Sequence, residues 1–223
     1  TMLLYFMLFM GGVRVSHLLS TALLALPVLV YVMMTAEYRL RRLLTFLDPW
    51  SDATGSGFHV IQSLIAFGSG QLLGRGLGES RQKLFYLPEA HTDFLFAVLA
   101  EELGLVGVAA TLALFIALVW RSFWIAQLAA RANLRFQAYL AAGFGLWLGC
   151  QALINIGVNM GVLPTKGLTL PLMSYGRSSM IVTLAWVGLL LRVYHEAMQG
   201  SRGMASVRRS DDARTLRTAG AEA

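Results

Sequence analysis

The chain has 223 residues, 57% hydrophobic and only 13% charged, with a net charge of +6. A soluble domain carries about 25% charged residues, so a water-soluble enzyme built around one large core is excluded and an integral membrane protein is expected. The single cysteine, Cys150, excludes a disulfide framework and a cysteine-built zinc site, and no basic stripe interleaved with aromatics points to nucleic acid.

Met2 to Met10 reads as the end of a span, followed by a turn at Gly11-Gly12-Val13-Arg14. No signal peptide precedes it, and Thr1 already lies in an apolar run, so the chain is expected to be the C-terminal piece of a longer protein. Leu18 to Thr35 carries no charge and reads as a full span, with a tolerated kink at Pro27. Arg39, Arg41 and Arg42 mark its exit, and Asp48-Pro49-Trp50-Ser51-Asp52 reads as a turn-rich loop. Phe58 to Phe67 is apolar but far short of the roughly 20 residues a span needs, so an interfacial or re-entrant helix is expected.

Phe94 to Trp120 is the third span, with Glu101 and Glu102 in its first half, and Arg121, Arg131 and Arg135 bound an acid-free connector. Phe136 to Val162 is the fourth span, Leu163 to Ser179 a loop rich in Pro, Gly and Ser, and Met180 to Leu191 a short last span. From Gly200 to Ala223 the chain is polar and is expected to be disordered. The expectation is thus an all-α polytopic bundle of about five spans over residues 1–199. A large outer loop (39–92) carries short interfacial helices, a second outer loop covers 163–179, and the tail is cytoplasmic. The arginine-rich connector goes to the cytoplasm by the positive-inside rule, and alternation places both loops outside.

Candidate chemistry gathers at those loops. Asp93 follows Pro88 at the mouth of a span, with Arg75, Arg81 and Lys83 upstream. An acid at that rim can take a proton from a hydroxyl while cations hold an anion. It can equally serve, with Thr92, as a helix cap. Glu89 and His91 flank it as candidate substrate contacts. Glu101 lies about 12 Å further along the helix at 1.5 Å per residue, too far to share a reacting atom. Glu101 and Glu102 read as ion-pair or hydrogen-bond partners inside the bundle.

Gln151, Asn155 and Asn159 recur every fourth residue and form a polar stripe, either helix–helix glue or the wall of a wet cavity. Pro164-Thr165-Lys166-Gly167 and Ser174-Tyr175-Gly176-Arg177-Ser178-Ser179 offer Lys166, Arg177, hydroxyls including Ser174, and loop amides, a set able to hold a pyrophosphate or simply to anchor a loop. The glycines from Gly68 to Gly78 make no nucleotide loop, since neither a preceding strand nor a Gly-Lys-Ser/Thr is present. His17, His59, His91 and His195 have no metal-ligand spacing, so no tight metal site is expected.

Five stretches together carry a family resemblance: Phe46-Leu47-Asp48-Pro49-Trp50; Gly76-Leu77-Gly78-Glu79-Ser80; Gln82-Lys83-Leu84-Phe85-Tyr86-Leu87-Pro88-Glu89-Ala90-His91-Thr92-Asp93-Phe94; Glu101-Glu102-Leu103-Gly104; and Gly161-Val162-Leu163-Pro164-Thr165-Lys166-Gly167-Leu168-Thr169-Leu170-Pro171. The chain resembles the SEDS family (shape, elongation, division and sporulation proteins), and Pro88-Glu89-Ala90 and Thr165-Lys166-Gly167 look like its division branch. The resemblance implies a ten-span fold of which this chain holds about the second half. It implies a peptidoglycan glycosyltransferase that polymerises lipid II on the outer face of the bacterial inner membrane at the septum. Asp93 matches the family's essential aspartate and Lys166 its loop lysine. The implied partners are a class B penicillin-binding protein and other divisome proteins.

A divalent cation, Mg2+ or Mn2+, at the pyrophosphate stays open, as do a lipid II flippase and a non-catalytic division scaffold. Three departures stand out: Arg177 replaces a usual glycine, Gln71-Leu72 interrupts a usually Gly-rich stretch, and His59 replaces a common Gln.

Overall fold

A computed structural model of the chain describes residues 2–35, 45–53, 55, 57–80 and 92–219. The described residues form six α-helices and one short 3₁₀ turn, without a strand. These are α1 (Met2–Met10), α2 (Val15–Met34), the 3₁₀ turn Pro49–Asp52, α3 (Phe58–Gly70), α4 (Leu95–Arg131), α5 (Arg135–Asn159) and α6 (Arg177–Ala219).

Four of the described helices, α2, α4, α5 and α6, are long and apolar enough to cross a membrane. Their outward faces carry bare Leu, Val, Ile and Met, such as Leu23, Leu114, Ile116, Leu153 and Ile181. Water would not tolerate so much exposed apolar surface, whereas hydrocarbon does. α1, with 9 residues, is too short to span alone. α3, with 13 residues, also falls short, in keeping with a short helix in the loop region.

The centre of the bundle is the antiparallel pair α4–α5, with α3 laid against both and α6 packed on both from another side. Small residues let the pair close up: a methyl on Gly145 would lie 2.8 Å from the Ser122 side chain, and one on Gly149 3.2 Å from Val119. At one end Ala66, Phe94, Ala97, Val98 and Val158 form an apolar floor. At the other, Ile125, Ala126, Ala129, Ala141, Ala142, Val193 and Ala197 close the bundle.

α4 does not stop at Trp120 but runs on through the expected connector to Arg131. It ends where Asn133 takes a left-handed conformation, φ +60°. There Asn133 N donates to Ala130 O and Leu134 N to Ala129 O, the two bonds of a Schellman turn. Arg121 needs no break, because its guanidinium lies over the rings of Trp124 and Tyr194 at 4.1 and 5.4 Å. α6 likewise continues past Leu191 and through the expected polar tail to Ala219. Its exposed face holds an Arg192–Glu196 pair at 2.8 Å with i,i+4 spacing, which supports helix there.

The true interruption of α4 is at Gly104, φ +64° and ψ −161°. The loop after α3 fills the gap. Leu105 N and Val106 N, which in an unbroken helix would donate to Glu101 O and Glu102 O, donate instead to Gln71 O (3.0 Å) and Leu72 O (3.3 Å). The two orphaned carbonyls accept from Arg75 N (3.0 Å) and Gly76 N (3.1 Å). These four backbone groups at the break thus keep a partner. The approach is so close that a side chain on Gly74 would collide with Glu102 O and one on Gly104 with Gly74 N. Gly104→Ala is therefore expected to destabilise the protein by about 3 kcal/mol, from a left-handed φ plus backbone overlap. A lowered melting temperature of the detergent-solubilised protein checks it.

Candidate functional site

α4 starts at Leu95, with Phe94 as its N-cap residue. Neither Asp93 nor Thr92 holds the cap position considered for them. Asp93 instead lies just outside the helix, half-buried. Two side chains of α5 reach its main chain. Asn155 Nδ2 and Asn159 Nδ2, one turn apart on α5, donate to Asp93 O at 3.0 and 2.9 Å. Asn159 Oδ1 accepts from Ala97 N at 3.2 Å, an amide in the first turn of α4 that also donates to Phe94 O at 3.0 Å. Ser63 on α3 donates to Asn159 O at 2.6 Å. One residue of α5 thereby ties α3, α4 and α5 together beneath Asp93.

The loop 160–176 crosses the same end. Asn155 Nδ2 also donates to Leu168 O, and Gln151 Nε2 donates to Thr169 O at 3.0 Å. The polar stripe on α5 thus holds the start of α4 on one side and the loop on the other. A methyl on Gly167 would sit 3.3 Å from Asp93 Oδ2, so the loop main chain passes directly against the carboxylate. Lys166, exposed, is the next residue, and Leu168 N bonds its carbonyl at 2.8 Å in a tight turn.

Ser174 is buried and its Oγ accepts from Leu170 N at 2.9 Å, which shapes the loop. Arg177 is exposed, and its Nε donates to the Tyr175 hydroxyl at 3.0 Å. It is the first residue of α6 and is not among the described residues with left-handed φ, so a side chain there carries no backbone strain.

Glu101 is 1% exposed and lies at the helix break. Its Oε2 accepts from Ser80 Oγ at 2.6 Å and its Oε1 from Ser69 Oγ at 3.2 Å, with Arg75 Nη1 at 3.8 Å. Arg75, a candidate anion-binding cation, is exposed and faces Glu101. Glu102 Oε1 is buried and has no hydrogen-bond partner. Arg81, Lys83, Glu89 and His91 lie outside the described residues.

Two neighbours were not among the candidate site residues. His59 stacks on Phe94 at 5.8 Å, and its Nδ1 is buried without a hydrogen-bond partner. Gly167 touches the carboxylate itself. Neither residue has a local sequence signal, since both contacts depend on distant segments. Among the described residues no three His, Cys, Asp or Glu side chains come close enough to hold a metal ion.

The opposite end of the bundle is marked by three contacts. Tyr139 Oη donates to Met10 O at 3.3 Å, Ala132 and Leu134 form the α4–α5 turn, and a methyl on Gly200 would lie 3.3 Å from Ala132 Cβ. The turn after α1, the arginine-flanked turn and the far part of α6 thus share the end away from Asp93.

A helical bundle with a half-buried acid and a cation-bearing loop at one end defines a multi-pass membrane protein with a polar rim site. Residues 1–199 match the family model FtsW/RodA/SpoVE, described as cell cycle protein, and the chain belongs to that family. It is 57% identical over 200 residues to a probable peptidoglycan glycosyltransferase FtsW of Methylococcus capsulatus, covering 88% of this chain and 50% of that protein. The FtsW of Nitrosococcus halophilus, with the same description, is 59% identical over 187 residues, covering 84% and 48%. A solved structure concerned with the coordination of polymerization and crosslinking by a peptidoglycan synthase complex aligns with TM-score 0.64 and 39% identity, over 86% of this chain and 53% of that one. The chain spans about half the length of the curated relatives it matches.

Proposed function

We propose that the complete protein is a peptidoglycan glycosyltransferase of the division branch, which polymerises lipid II into glycan strands during septal wall synthesis, with Asp93 as general base. The observation that carries this reading is the carboxylate of Asp93 lying against Gly167, beside exposed Lys166, at the end of the bundle away from the Arg131–Arg135 turn. Asp93 takes the proton from the 4-hydroxyl of the acceptor GlcNAc. That oxygen attacks the anomeric carbon of the donor MurNAc, and the bond to undecaprenyl pyrophosphate breaks. The departing pyrophosphate gathers negative charge, which Lys166 offsets. Arg177, Arg81 and Lys83 are further candidate phosphate contacts, and Glu89 and His91 candidate sugar contacts.

The arginine-rich turn belongs in the cytoplasm by the positive-inside rule, which puts Asp93 on the periplasmic side of the inner membrane and the C-terminus in the cytoplasm. A class B penicillin-binding protein supplies crosslinking, and other divisome proteins complete the assembly.

A lipid II flippase needs polar groups along the whole bilayer depth. Between the rim and the far end the buried polar side chains among the described residues include Thr111, Ser122 and Thr183, and each donates to a carbonyl one turn back in its own helix. Such groups line no path. Detergent-solubilised complete protein with labelled lipid II decides the matter: a polymerase makes a glycan ladder without two compartments, and a flippase or a scaffold makes none. Lys166→Gln is expected to lower kcat about 10²-fold, the effect of removing one donor to a developing charge. A wild-type rate would remove the lysine from the mechanism.

A further inference from the structure

The interruption at Gly104 changes what holds Asp93. Two of the hydrogen bonds that would carry α4 across the break, from Leu105 N and Val106 N, go instead to the loop after α3, so the rest of α4 braces the segment from Asp93 to Leu103 less than an unbroken helix would. The segment is about 15 Å long at 1.5 Å per residue and is fixed at its two ends by different elements. Asn155 and Asn159 hold the Asp93 end. The loop 71–76 holds the other.

Glu101 secures that second mounting. Its carboxylate accepts from Ser69, which precedes the loop, and from Ser80, which follows it, and it faces Arg75 within it. One buried carboxylate thus draws both flanks of the loop onto the segment. The mounting also holds Gln71 at φ +48° and ψ −139°, a strained conformation for a residue with a side chain, and such strain persists only where surrounding contacts impose it.

We infer that Glu101 is a positioning residue: it fixes the far end of the short helical segment that follows Asp93, and so helps to set the carboxylate's place across the break in α4. This rests on the reading of Asp93 as the base. A misplacement of about 1 Å at a reacting group costs on the order of 10²-fold in rate, so a segment pivoting on its asparagine end is enough to matter. Gln at position 101 keeps the shape but turns one oxygen into a donor facing Arg75 and the two hydroxyls.

The test uses the complete protein in lipid nanodiscs, as wild type, Glu101→Gln and Arg75→Gln, with two readouts. Hydrogen exchange is followed in peptides covering 94–103 and 107–131, and kcat and KM are measured with labelled lipid II. For Glu101→Gln we expect exchange in 94–103 to rise about tenfold or more with 107–131 unchanged, and kcat to fall about tenfold or more with KM within about threefold, as for a lost alignment. Arg75→Gln, whose ion pair is partly solvent-exposed, should shift both readouts in the same direction by less. Wild-type exchange and kcat in Glu101→Gln overturn the inference. So does exchange rising equally along all of α4, which marks general loosening, and so does faster exchange in 94–103 with unchanged kcat. If wild-type protein makes no glycan, the catalytic reading of Asp93 has failed, and the exchange pattern alone then decides whether Glu101 fixes the segment.

Discussion

Asp93→Asn in the complete protein is expected to lower glycan polymerisation by about 10²- to 10⁴-fold, the range that a positioned general base contributes, while leaving the melting temperature within a degree or two of wild type. The two halves of that expectation have separate grounds. The bonds from Asn155 and Asn159 reach the main-chain carbonyl of Asp93, and an amide of the same size as the carboxylate leaves them in place. The clearance to Gly167 is also kept, because Asn has the same shape as Asp. What the amide cannot do is take a proton from a sugar hydroxyl. Asp93→Ala is the weaker test, since it also opens space beside Gly167. Undiminished glycan synthesis by the Asn variant, with lipid II of defined chain length, would refute the assignment. Loss of synthesis together with a large drop in melting temperature would instead place Asp93 among the structural residues.

Several parts of this architecture could be read from residues alone, and the misses have physical causes. Apolar runs of sufficient length located the long helices, since hydrocarbon imposes a minimum length on any span. Helix ends were read less well. Arg121 was taken as an end because charge marks the depth at which a chain leaves hydrocarbon, but a helix stops where its last carbonyls find other donors. Here that happens at Asn133, about twelve residues after the expected connector begins at Arg121.

The spacing of Gln151, Asn155 and Asn159 showed that they share a face, but not that two of them grip the carbonyl of Asp93, since main-chain acceptors leave no sequence signature. Glu101-Glu102-Leu103-Gly104 looked like helix interior with an incidental glycine. Its left-handed φ follows from the loop after α3, thirty residues upstream, and only the folded chain brings the two together. Gln71, noted as a departure from a Gly-rich stretch, falls on that same junction with φ +48°, so the departure lies where a glycine would be least strained.

The polar stripe on α5 provides the second large effect. Asn159→Ala is expected to cost about 3 kcal/mol of stability and to lower polymerisation at least tenfold. Asn159 is fully buried. Its amide nitrogen lies within hydrogen-bond reach of Asp93 O, Asn155 O and Asn155 Oδ1, and its oxygen accepts from Ala97 N. Truncation strips one of two donors from the Asp93 carbonyl and removes the second acceptor of the Ala97 amide, which keeps its bond to Phe94 O. Each hydrogen bond lost costs about 0.5–1.5 kcal/mol, and the emptied volume adds a cavity penalty.

Gln151→Ala is the internal comparison. That side chain is half-buried and makes one bond, to Thr169 O, so its removal should cost about 1 kcal/mol. If the stripe were merely glue between α5 and its neighbours, activity would fall in proportion to stability in both variants. Because Asn159 holds the residue that carries the base, its variant should lose far more activity than its loss of folded protein explains, even when assayed well below its melting temperature. Equal residual activity of the two variants, normalised to folded protein, would show that the grip on the Asp93 carbonyl does not align the carboxylate.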